Sequence, residues 1–274
     1  MSVNARAAAM GDAYSAVCDG ADALYWNPAG LGKVSGKSAV LMHSDHLQNS
    51  YLDFAGYSQS IGRFGSVGVG FQYFSAGTIE ETDEFGPVGT FRPYDMAASL
   101  GWARKVKGIG YEGEFIIGVA AKFVQSKITQ TAYTGLADVG AAWNQWKNVE
   151  LAIGVLNLGD PIKREAESDD LPLILRVGGK WQARENWIVS LDSNFPRYND
   201  PDLNIGTEVL YPAAREITLA GRAGYSTRTA FDLRGMTGFS TGLGLIWKKY
   251  GLDFAWSPFG RLGSSYKLSL SVKF

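Results

Sequence analysis

The chain has 274 residues, a net charge of -1, one cysteine and a hydrophobic fraction of 46%. That hydrophobic fraction excludes a disordered chain, and the near-neutral charge without a basic stripe excludes a nucleic-acid-binding protein. The sequence contains no run of about eighteen apolar residues, which excludes a membrane protein built of helices.

Residues 1–36 are rich in alanine and lack the alternation that marks the rest of the chain. We expect short helical turns there, followed by a turn at Pro28, which fixes its own φ and keeps Asn27 out of the helical region. No apolar segment precedes Cys18, so we expect a small buried residue and not a lipidated N-terminus. No secretory signal is recognisable, and Met1 resembles a start placed on a mature chain, which predicts that a signal peptide has been removed.

Residues 37–274 alternate repeatedly between apolar side chains and small or polar ones. The last segment alternates over nine residues, with one face formed by Tyr266, Leu268, Leu270, Val272 and Phe274. A period of two predicts strands, and the pattern recurs in about fourteen segments. They lie near 37–46, 50–61, 65–76, 94–106, 114–128, 134–146, 149–157, 173–183, 187–195, 203–211, 216–226, 238–248, 250–258 and 264–274.

An even number of strands suits a closed antiparallel barrel, which leaves no sheet edge unpaired. Each segment with its turn has about 17 residues, more than the roughly 9–11 that cross a membrane at a tilt. Aromatic residues gather at the predicted strand ends, as the girdles of a membrane barrel do. The pairs are Trp143 with Trp146, Trp181 with Trp187, Trp247 with Tyr250, and Trp256 with Phe259. A soluble β-sandwich, whose core also holds aromatic residues, is the alternative.

Three charged residues fall on the polar faces of predicted strands: Lys122, Arg222 and Asp253. Inside a barrel they would face the lumen. We expect them to form ion pairs with one another or with the N-terminal segment, because charges in such a site need partners. A role in ion selectivity is the alternative.

The sequence contains no recognisable site for catalysis, a metal or a cofactor. His43 and His46 are the two histidines, and on a strand they point to opposite faces, so we predict no shared metal. The neighbouring carboxylates Glu80-Glu81 and Asp169-Asp170 fall in predicted loops, where we expect solvated charge. Weak binding of Ca²⁺ or bridging to lipopolysaccharide is the alternative there. Neither a Gly-x-Ser-x-Gly elbow nor a phosphate-binding loop is present, so we expect no enzyme.

Three groups of motifs resemble a known family of outer-membrane proteins. They lie at 5–11, 16–17 and 23–31 near the N-terminus, at 157–163 and 171–173 in the middle, and at 256–263 and 268–274 near the C-terminus. Together they extend over the whole chain. The sequence is similar to the PorV/PorQ proteins, which belong to the wider FadL-like superfamily of barrels.

The resemblance implies a barrel of fourteen strands whose N-terminal segment folds inside as a hatch. Asn27-Pro28-Ala29, followed by Gly30, matches the hatch motif of FadL-type transporters, which pass hydrophobic molecules and release them through a gap in the barrel wall. The last strand, with its final aromatic Phe274, resembles the signal read by the barrel-assembly machinery. Similarity to PorV implies a second role, the binding of cargo proteins or a translocon in protein secretion.

The chain also departs from both groups. Its longest predicted loops, at 77–93, 158–172 and 226–237, are shorter than those with which FadL-type transporters capture a ligand, which argues against a surface capture site. Asp12 stands where the family often has a second glycine, and Cys18 where it often has alanine.

We therefore predict an all-β protein, a transmembrane antiparallel β-barrel of about fourteen strands in the bacterial outer membrane. Residues 1–36 would form a hatch in the lumen, residues 37–274 the barrel, and outer-membrane lipid its surroundings. The predicted function is to bind or pass a hydrophobic small molecule, with a lateral opening in the wall. The alternative is a PorV-like subunit that binds a protein partner in a secretion or envelope complex.

Overall fold

Fourteen strands close into one antiparallel barrel in the computed structural model, which describes residues 1–106, 113–164, 167–169, 172–229 and 237–274. Strands along the described chain are β1 (Lys37–Asp45), β2 (Tyr51–Ser60), β3 (Ser66–Ser75), β4 (Ile79–Asp83), β5 (Gly86–Phe91), β6 (Tyr94–Val106), β7 (Glu114–Lys127), β8 (Thr131–Trp146), β9 (Val149–Gly159), β10 (Ile162–Arg164), β11 (Glu167–Asp169), β12 (Ile174–Arg184), β13 (Trp187–Pro196), β14 (Asp202–Ala214), β15 (Ile217–Ser226), β16 (Phe239–Trp247), β17 (Tyr250–Pro258) and β18 (Ser264–Lys273). Two hairpins, β4–β5 and β10–β11, stand outside the barrel, and β18 closes the barrel on β1.

All fourteen predicted barrel strands are confirmed, with ends that differ by at most three residues. The two hairpins were not predicted, and they fall inside the predicted loops 77–93 and 158–172. The predicted loops 158–172 and 226–237 lie partly outside the described residues, as do the side chains of Asp169-Asp170.

The helices are short and lie mostly near the N-terminus. They are α1 (Ala5–Ala9), α2 (Ala23–Trp26) and the 3-10 helices Pro28–Lys33, Leu47–Asn49, Gly62–Phe64, Thr227–Thr229 and Gly260–Leu262. No helix within the described ranges is both long and apolar enough to cross a membrane.

The alternation in the sequence becomes two different faces of the wall. On β18, Tyr266, Leu268 and Leu270 are about half exposed on the outer face, whereas Lys267 and Ser269 point inward and are buried. The same division holds around the barrel. An apolar outer surface over a small or polar inner one is the arrangement of a barrel that lipid surrounds.

The two ends of the barrel differ. One end, here called the turn end, holds Phe274 and the short connections 61–65, 147–148, 185–186, 215–216 and 248–249. The opposite end, the loop end, holds the connections 46–50, 76–93, 128–130, 197–201 and 259–263.

Aromatic residues of the outer face gather at both ends, with most tryptophans at the turn end and most tyrosines at the loop end; Trp256 at the loop end and Tyr211 and Tyr250 at the turn end are exceptions. Tryptophans cluster toward the turn end, at Trp102, Trp143, Trp146, Trp181, Trp187 and Trp247. Tyrosines line the loop end, at Tyr51, Tyr73, Tyr94, Tyr133, Tyr225 and Tyr266. Amphipathic rings at both strand ends match the girdles of a membrane barrel.

Residues 1–36 lie inside the barrel and are buried along most of their length. The helix α1 contacts β15 to β18, and the 3-10 helix Pro28–Lys33 contacts β3, β6, β7 and β8 on the other side of the lumen. Trp26 joins the segment to the wall, since the guanidinium of Arg176 on β12 lies 5.0 Å from its ring centroid. The segment therefore crosses the lumen from one wall to the other.

Candidate functional site in the lumen

Glycines on the inner face let the backbone of the N-terminal segment lie directly against the wall. A Cβ atom on Gly224 would overlap main-chain atoms of Met10 and Gly11, and one on Gly118 would overlap those of Pro28. These inward positions lie on strands on opposite sides of the lumen, β15 and β7. The absence of a side chain at each is what permits contact between two backbones.

The Asn-Pro-Ala-Gly motif, residues 27–30, makes one of these contacts. Asn27 caps the 3-10 helix, because its side-chain oxygen accepts the N–H of Ala29 at 3.0 Å, and Pro28 occupies the first helical position, where no N–H is needed. The amide of Asn27 also donates to the main-chain oxygen of Ala141 in β8 at 3.1 Å. A Cβ on Gly30 would lie 2.6 Å from the sulfur of Cys18. All four motif residues are buried, so they fix the segment to itself and to the wall.

A buried ion-pair cluster joins the segment to β14, β15 and β17. Glu208 accepts from Arg6 at 2.7 and 2.8 Å and from Arg222 at 2.6 Å. Arg222 also donates to Asp253 at 2.7 Å. Two predicted lumen residues, Arg222 and Asp253, thus meet in one cluster. The cluster balances two guanidinium groups against two carboxylates, which is what burial of these charges requires.

The third predicted residue, Lys122, lies apart from that cluster. Its ammonium group contacts Asp138 at 2.5 Å and Asn157 at 3.1 Å. Asn157 has a φ of 62° inside β9, and its N–H donates to Asp138 at 2.7 Å. The register between β8 and β9 shifts at this point, between Ala137 and Val139. The Lys122 contacts therefore hold a bulge within the wall.

Other buried charges extend the contacts between segment and wall. Lys33 from the segment and Lys180 from β12 both contact the carboxylate of Glu150, and the ammonium nitrogen of Lys180 lies 2.7 Å from it. Asp192 on β13 accepts the N–H groups of Tyr14 and Ser15 at 3.1 and 2.8 Å.

Sequence reasoning missed these carboxylates, although the same alternation places them on inner faces. Pairing between adjacent strands is a stronger signal than alternation, because the antiparallel register of β14 and β15 places Glu208 opposite Arg222. Oppositely charged residues at paired inward positions of adjacent predicted strands would have identified that cluster.

A small cavity lies between α2 and the wall on the loop side. Its volume is about 150 Å³. Its apolar lining comes from Leu24, Phe54, Ala97, Val124 and Leu136, and its polar lining from Tyr25, Gln72, Ser99, Lys122 and Asn157. On the turn side, a separate cavity of about 260 Å³ has several charged residues in its lining, among them Arg6, Asp19 and Lys273.

The two histidines lie at different places. His43 is on the outer face of β1, where its Nδ1 lies 2.6 Å from Asp53. His46 lies beyond the strand and packs edge-on against Phe259 at 5.2 Å. Burial lowers the pKa of His46 to about 4, with a contribution from Lys267. Within the described residues, no group of three or more His, Cys, Asp or Glu side chains could hold a metal ion.

No protein-family model and no curated protein matches the chain. Solved structures do match it over almost their full length. The toluene transporter TodX of Pseudomonas putida is 11% identical with a TM-score of 0.67, covering 99% of this chain and 97% of its own.

Two further structures give similar values. The toluene transporter TbuX of Ralstonia pickettii is 12% identical with a TM-score of 0.62, covering 99% of this chain and 98% of its own. A FadL homologue of Pseudomonas aeruginosa is 9% identical with a TM-score of 0.62 and the same coverages. At these identities the likeness establishes that the chain has the fold of FadL-like barrels.

Proposed function

We propose that this protein is an outer-membrane channel for small, uncharged hydrophobic molecules, with residues 1–36 as its hatch. The observation that carries the proposal is the cavity between α2 and the wall, whose lining combines apolar side chains with polar ones. A cavity in contact with a segment that crosses the lumen is suited to hold a molecule on its way past that segment. The shared fold with TodX and TbuX, each described as a toluene transporter, supports the same class of cargo.

The dimensions and charge of the cavity favour a small neutral molecule. The cavity volume of about 150 Å³ equals that of an engineered apolar cavity that binds benzene in a protein core. Lys122 is the cation of the lining, and its ammonium group is already paired with Asp138. A carboxylate ligand would have to compete with that pair, so a fatty acid suits this cavity less well than an uncharged ring.

The bulge between β8 and β9 is the proposed place of lateral release. Asn157 lines the cavity and lies at that bulge. By contrast, β3 pairs with β2 and with β6 without a shift in register. Other shifts in the described wall lie next to the turns at 147–148, 185–186 and 215–216. A lateral path would therefore form where β9 already departs from regular pairing.

Uptake by cells tests the proposal. The protein is expressed in a Gram-negative host without its own FadL-type channel, and radiolabelled toluene and oleate are the probes. Ala97→Phe fills the cavity, and Ala98→Phe is the matched control because the next residue of β6 faces outward and is exposed. We expect the protein to raise toluene uptake more than oleate uptake, and Ala97→Phe to abolish the gain while Ala98→Phe keeps it.

Three results would count against it. If the folded protein is in the membrane and toluene uptake does not rise, the proposal that the protein is a channel is wrong. An equal loss of toluene uptake in both phenylalanine variants would show that the molecule does not pass through the cavity. A larger gain for oleate than for toluene would overturn the assignment to uncharged cargo.

A second candidate function is a PorV-like role in binding a protein partner. The motif resemblance supports it, and so does the hairpin β4–β5 at the loop end, where Phe85 is 89% exposed and Val88 is 57% exposed. We take these two side chains as the contact point for a partner, because a protein partner would remove their apolar surface from water. Capture from native membranes in mild detergent tests this role. We expect a co-purifying envelope protein that Phe85→Ser weakens; purification as a monomer would contradict it.

A further inference from the structure

Two lysines flank the ring of Phe274 at the turn end. The ammonium nitrogens of Lys37 and Lys249 lie 5.8 and 5.9 Å from its centroid. Lys249 also lies 5.5 Å from the ring centroid of Tyr250. Lys37 belongs to β1, Lys249 to the turn between β16 and β17, and Tyr250 to β17. They meet at Phe274, where β18 closes the barrel on β1. We name Lys37, Lys249, Tyr250 and Phe274 the closure rim.

The two lysines of the closure rim lack a carboxylate partner. Within the described residues, no Asp, Glu or terminal carboxylate lies within 4.0 Å of either ammonium group, although neighbouring lysines are paired. Lys248 contacts Glu216 at 3.2 Å and Lys273 contacts Asp19 at 2.9 Å. Lys37 and Lys249 are both exposed. The closure rim therefore carries two positive charges that the described chain leaves uncompensated by an ion pair.

The surroundings of the closure rim are positively charged as well. Exposed cations at the turn end outnumber exposed anions among the described residues. The cations are Lys37, Arg63, Arg104, Lys105, Lys147, Arg184, Arg215, Lys248, Lys249 and Lys273, and the anions are Glu114, Glu185, Glu216 and the terminal carboxylate of Phe274. At the loop end the balance is reversed, with Asp45, Glu80, Glu81, Asp83, Glu84, Asp95, Asp160 and Asp200 against Arg92, Lys127, Arg197, Arg228 and Arg261.

An apolar track runs away from the closure rim along the outer face. Leu252 on β17 is paired with Leu270 on β18, and both are exposed. Phe254 and Leu268 form the next outward pair. An amphipathic occupant with an anionic head would place its head at the two lysines and its chains on this track.

We propose that the closure rim binds the headgroup phosphate of an anionic glycerophospholipid, with the acyl chains against β17 and β18. Lysine binds phosphate as a point charge, and tyrosine and lysine near a strand end lie at the depth of the headgroups. Each cation near the membrane surface contributes separately to the binding free energy for anionic lipid. A zwitterionic lipid offers the same phosphate, but its own cation opposes these lysines. This inference does not depend on what the lumen carries.

Quenching of tryptophan fluorescence measures the proposed binding. The folded protein is placed in phosphatidylcholine vesicles that contain either brominated phosphatidylglycerol or brominated phosphatidylcholine at the same low fraction. Trp247, whose centroid lies 6.0 Å from that of Tyr250, reports from beside the closure rim. We expect phosphatidylglycerol to quench as though its local fraction were at least about fivefold that of the bulk, because each of the two cations contributes about 1 kcal/mol of attraction to anionic lipid.

Variants locate the effect. Lys37→Gln/Lys249→Gln is expected to remove most of the excess quenching. Arg92→Gln/Arg261→Gln removes the same charge at the loop end and is expected to retain it. Heat-modifiable electrophoretic mobility shows that each variant is folded. Equal quenching by the two brominated lipids with the unsubstituted protein would overturn the proposal, as would equal loss in the two variants.

Discussion

The guanidinium group of Arg6 makes a two-point contact with the carboxylate of Glu208, at 2.7 and 2.8 Å. Arg6 belongs to the N-terminal segment and Glu208 to the wall strand β14. The same carboxylate accepts from Arg222 on β15. One buried carboxylate therefore joins two cations, one from the segment and one from the wall.

The first prediction concerns Glu208→Gln, which removes that charge and keeps the shape of the side chain. Arg222 would then keep Asp253 as its counter-charge, and Arg6 would keep, among the described residues, only Asp19 at 3.7 Å. Breaking a buried ion pair from one side costs about 3–5 kcal/mol, and we expect a loss of that order in the free energy of unfolding. A urea titration in lipid vesicles, followed by tryptophan fluorescence, measures it.

Glu216→Gln is the matched control. Glu216 pairs with Lys248 at 3.2 Å, and both side chains are about half exposed. An exposed pair contributes less than about 1 kcal/mol, so this variant should unfold at almost the same urea concentration as the parent. Equal losses in the two variants would mean that the Glu208 contacts do not hold the segment.

The second prediction compares two glycines on β15. A Cβ on Gly224 would overlap main-chain atoms of Gly11, whereas a Cβ on Gly221, on the outer face, has nothing within 4 Å. Gly224→Ala should force the segment away from the wall, at a cost of about 1–3 kcal/mol for overpacking. Gly221→Ala should leave stability unchanged or raise it slightly, because alanine restricts the unfolded chain.

The rate at which Cys18 reacts with maleimide distinguishes Gly224→Ala from Gly221→Ala. Cys18 is the single cysteine of the chain and is buried in the segment. A buried thiol reacts with maleimide only through local opening, so labelling should be slow in the parent and in Gly221→Ala and faster in Gly224→Ala. Identical labelling rates in the two variants would contradict a close fit between segment and wall.

The barrel could be predicted from sequence because its physical cause is local. Each strand must present apolar side chains to lipid and small or polar ones to the lumen, so the sequence of each strand alternates with a period of two. β18, ending near Phe274, shows this most clearly, and the other thirteen repeat it. The strands of the hairpins β4–β5 and β10–β11 have only three to six residues each, which is too short for a period of two to stand out in the sequence.

The site was less predictable because its contacts are not local. Alternation assigned Arg222 and Asp253 to the inner face, but the partner that joins them to the segment, Glu208, lies 202 residues from Arg6. Such a contact depends on closure of the barrel and on the path of the segment through it. The inward glycines at 118 and 224 have meaning only once that path is known.

The third prediction is a pH dependence that arises from Cys18. Burial raises the pKa of its thiol well above the ordinary value, whereas in the unfolded chain the thiol titrates near its usual value of about 8.5. Above that pH the unfolded state loses the proton and the folded state keeps it, so stability falls as pH rises. Below about pH 8.5 both states are protonated and the effect vanishes.

Cys18→Ala isolates this contribution. Between pH 8 and 10 the parent should lose about 2 kcal/mol more of its free energy of unfolding than Cys18→Ala does, at about 1.4 kcal/mol for each unit above the thiol's unfolded pKa. Urea titrations of both proteins at the two pH values measure the difference, and the titration of other groups cancels in the comparison. The same pH dependence in both proteins would mean that Cys18 becomes exposed before unfolding.

The fourth prediction concerns movement of the segment during transport. An ideal Cβ on Gly20 lies 3.3 Å from the side-chain oxygen of Ser38 on β1. A cysteine sulfur in place of that oxygen would lie within reach of a sulfur on residue 20, because the S–S bond is about 2.0 Å long. Gly20→Cys/Ser38→Cys in a Cys18→Ala background should therefore form a disulfide between segment and wall.

Oxidation of that variant should reduce toluene uptake to the level of host cells without the protein, and reduction should restore it, because a hatch must leave the wall for a molecule to pass. The reduced protein is its own control, since it differs only by the cross-link. Cross-linking is verified by mass spectrometry of the peptide that joins residues 20 and 38. If uptake is the same before and after oxidation, toluene passes without displacement of the segment at this point; the channel proposal then stands, and the hatch proposal falls.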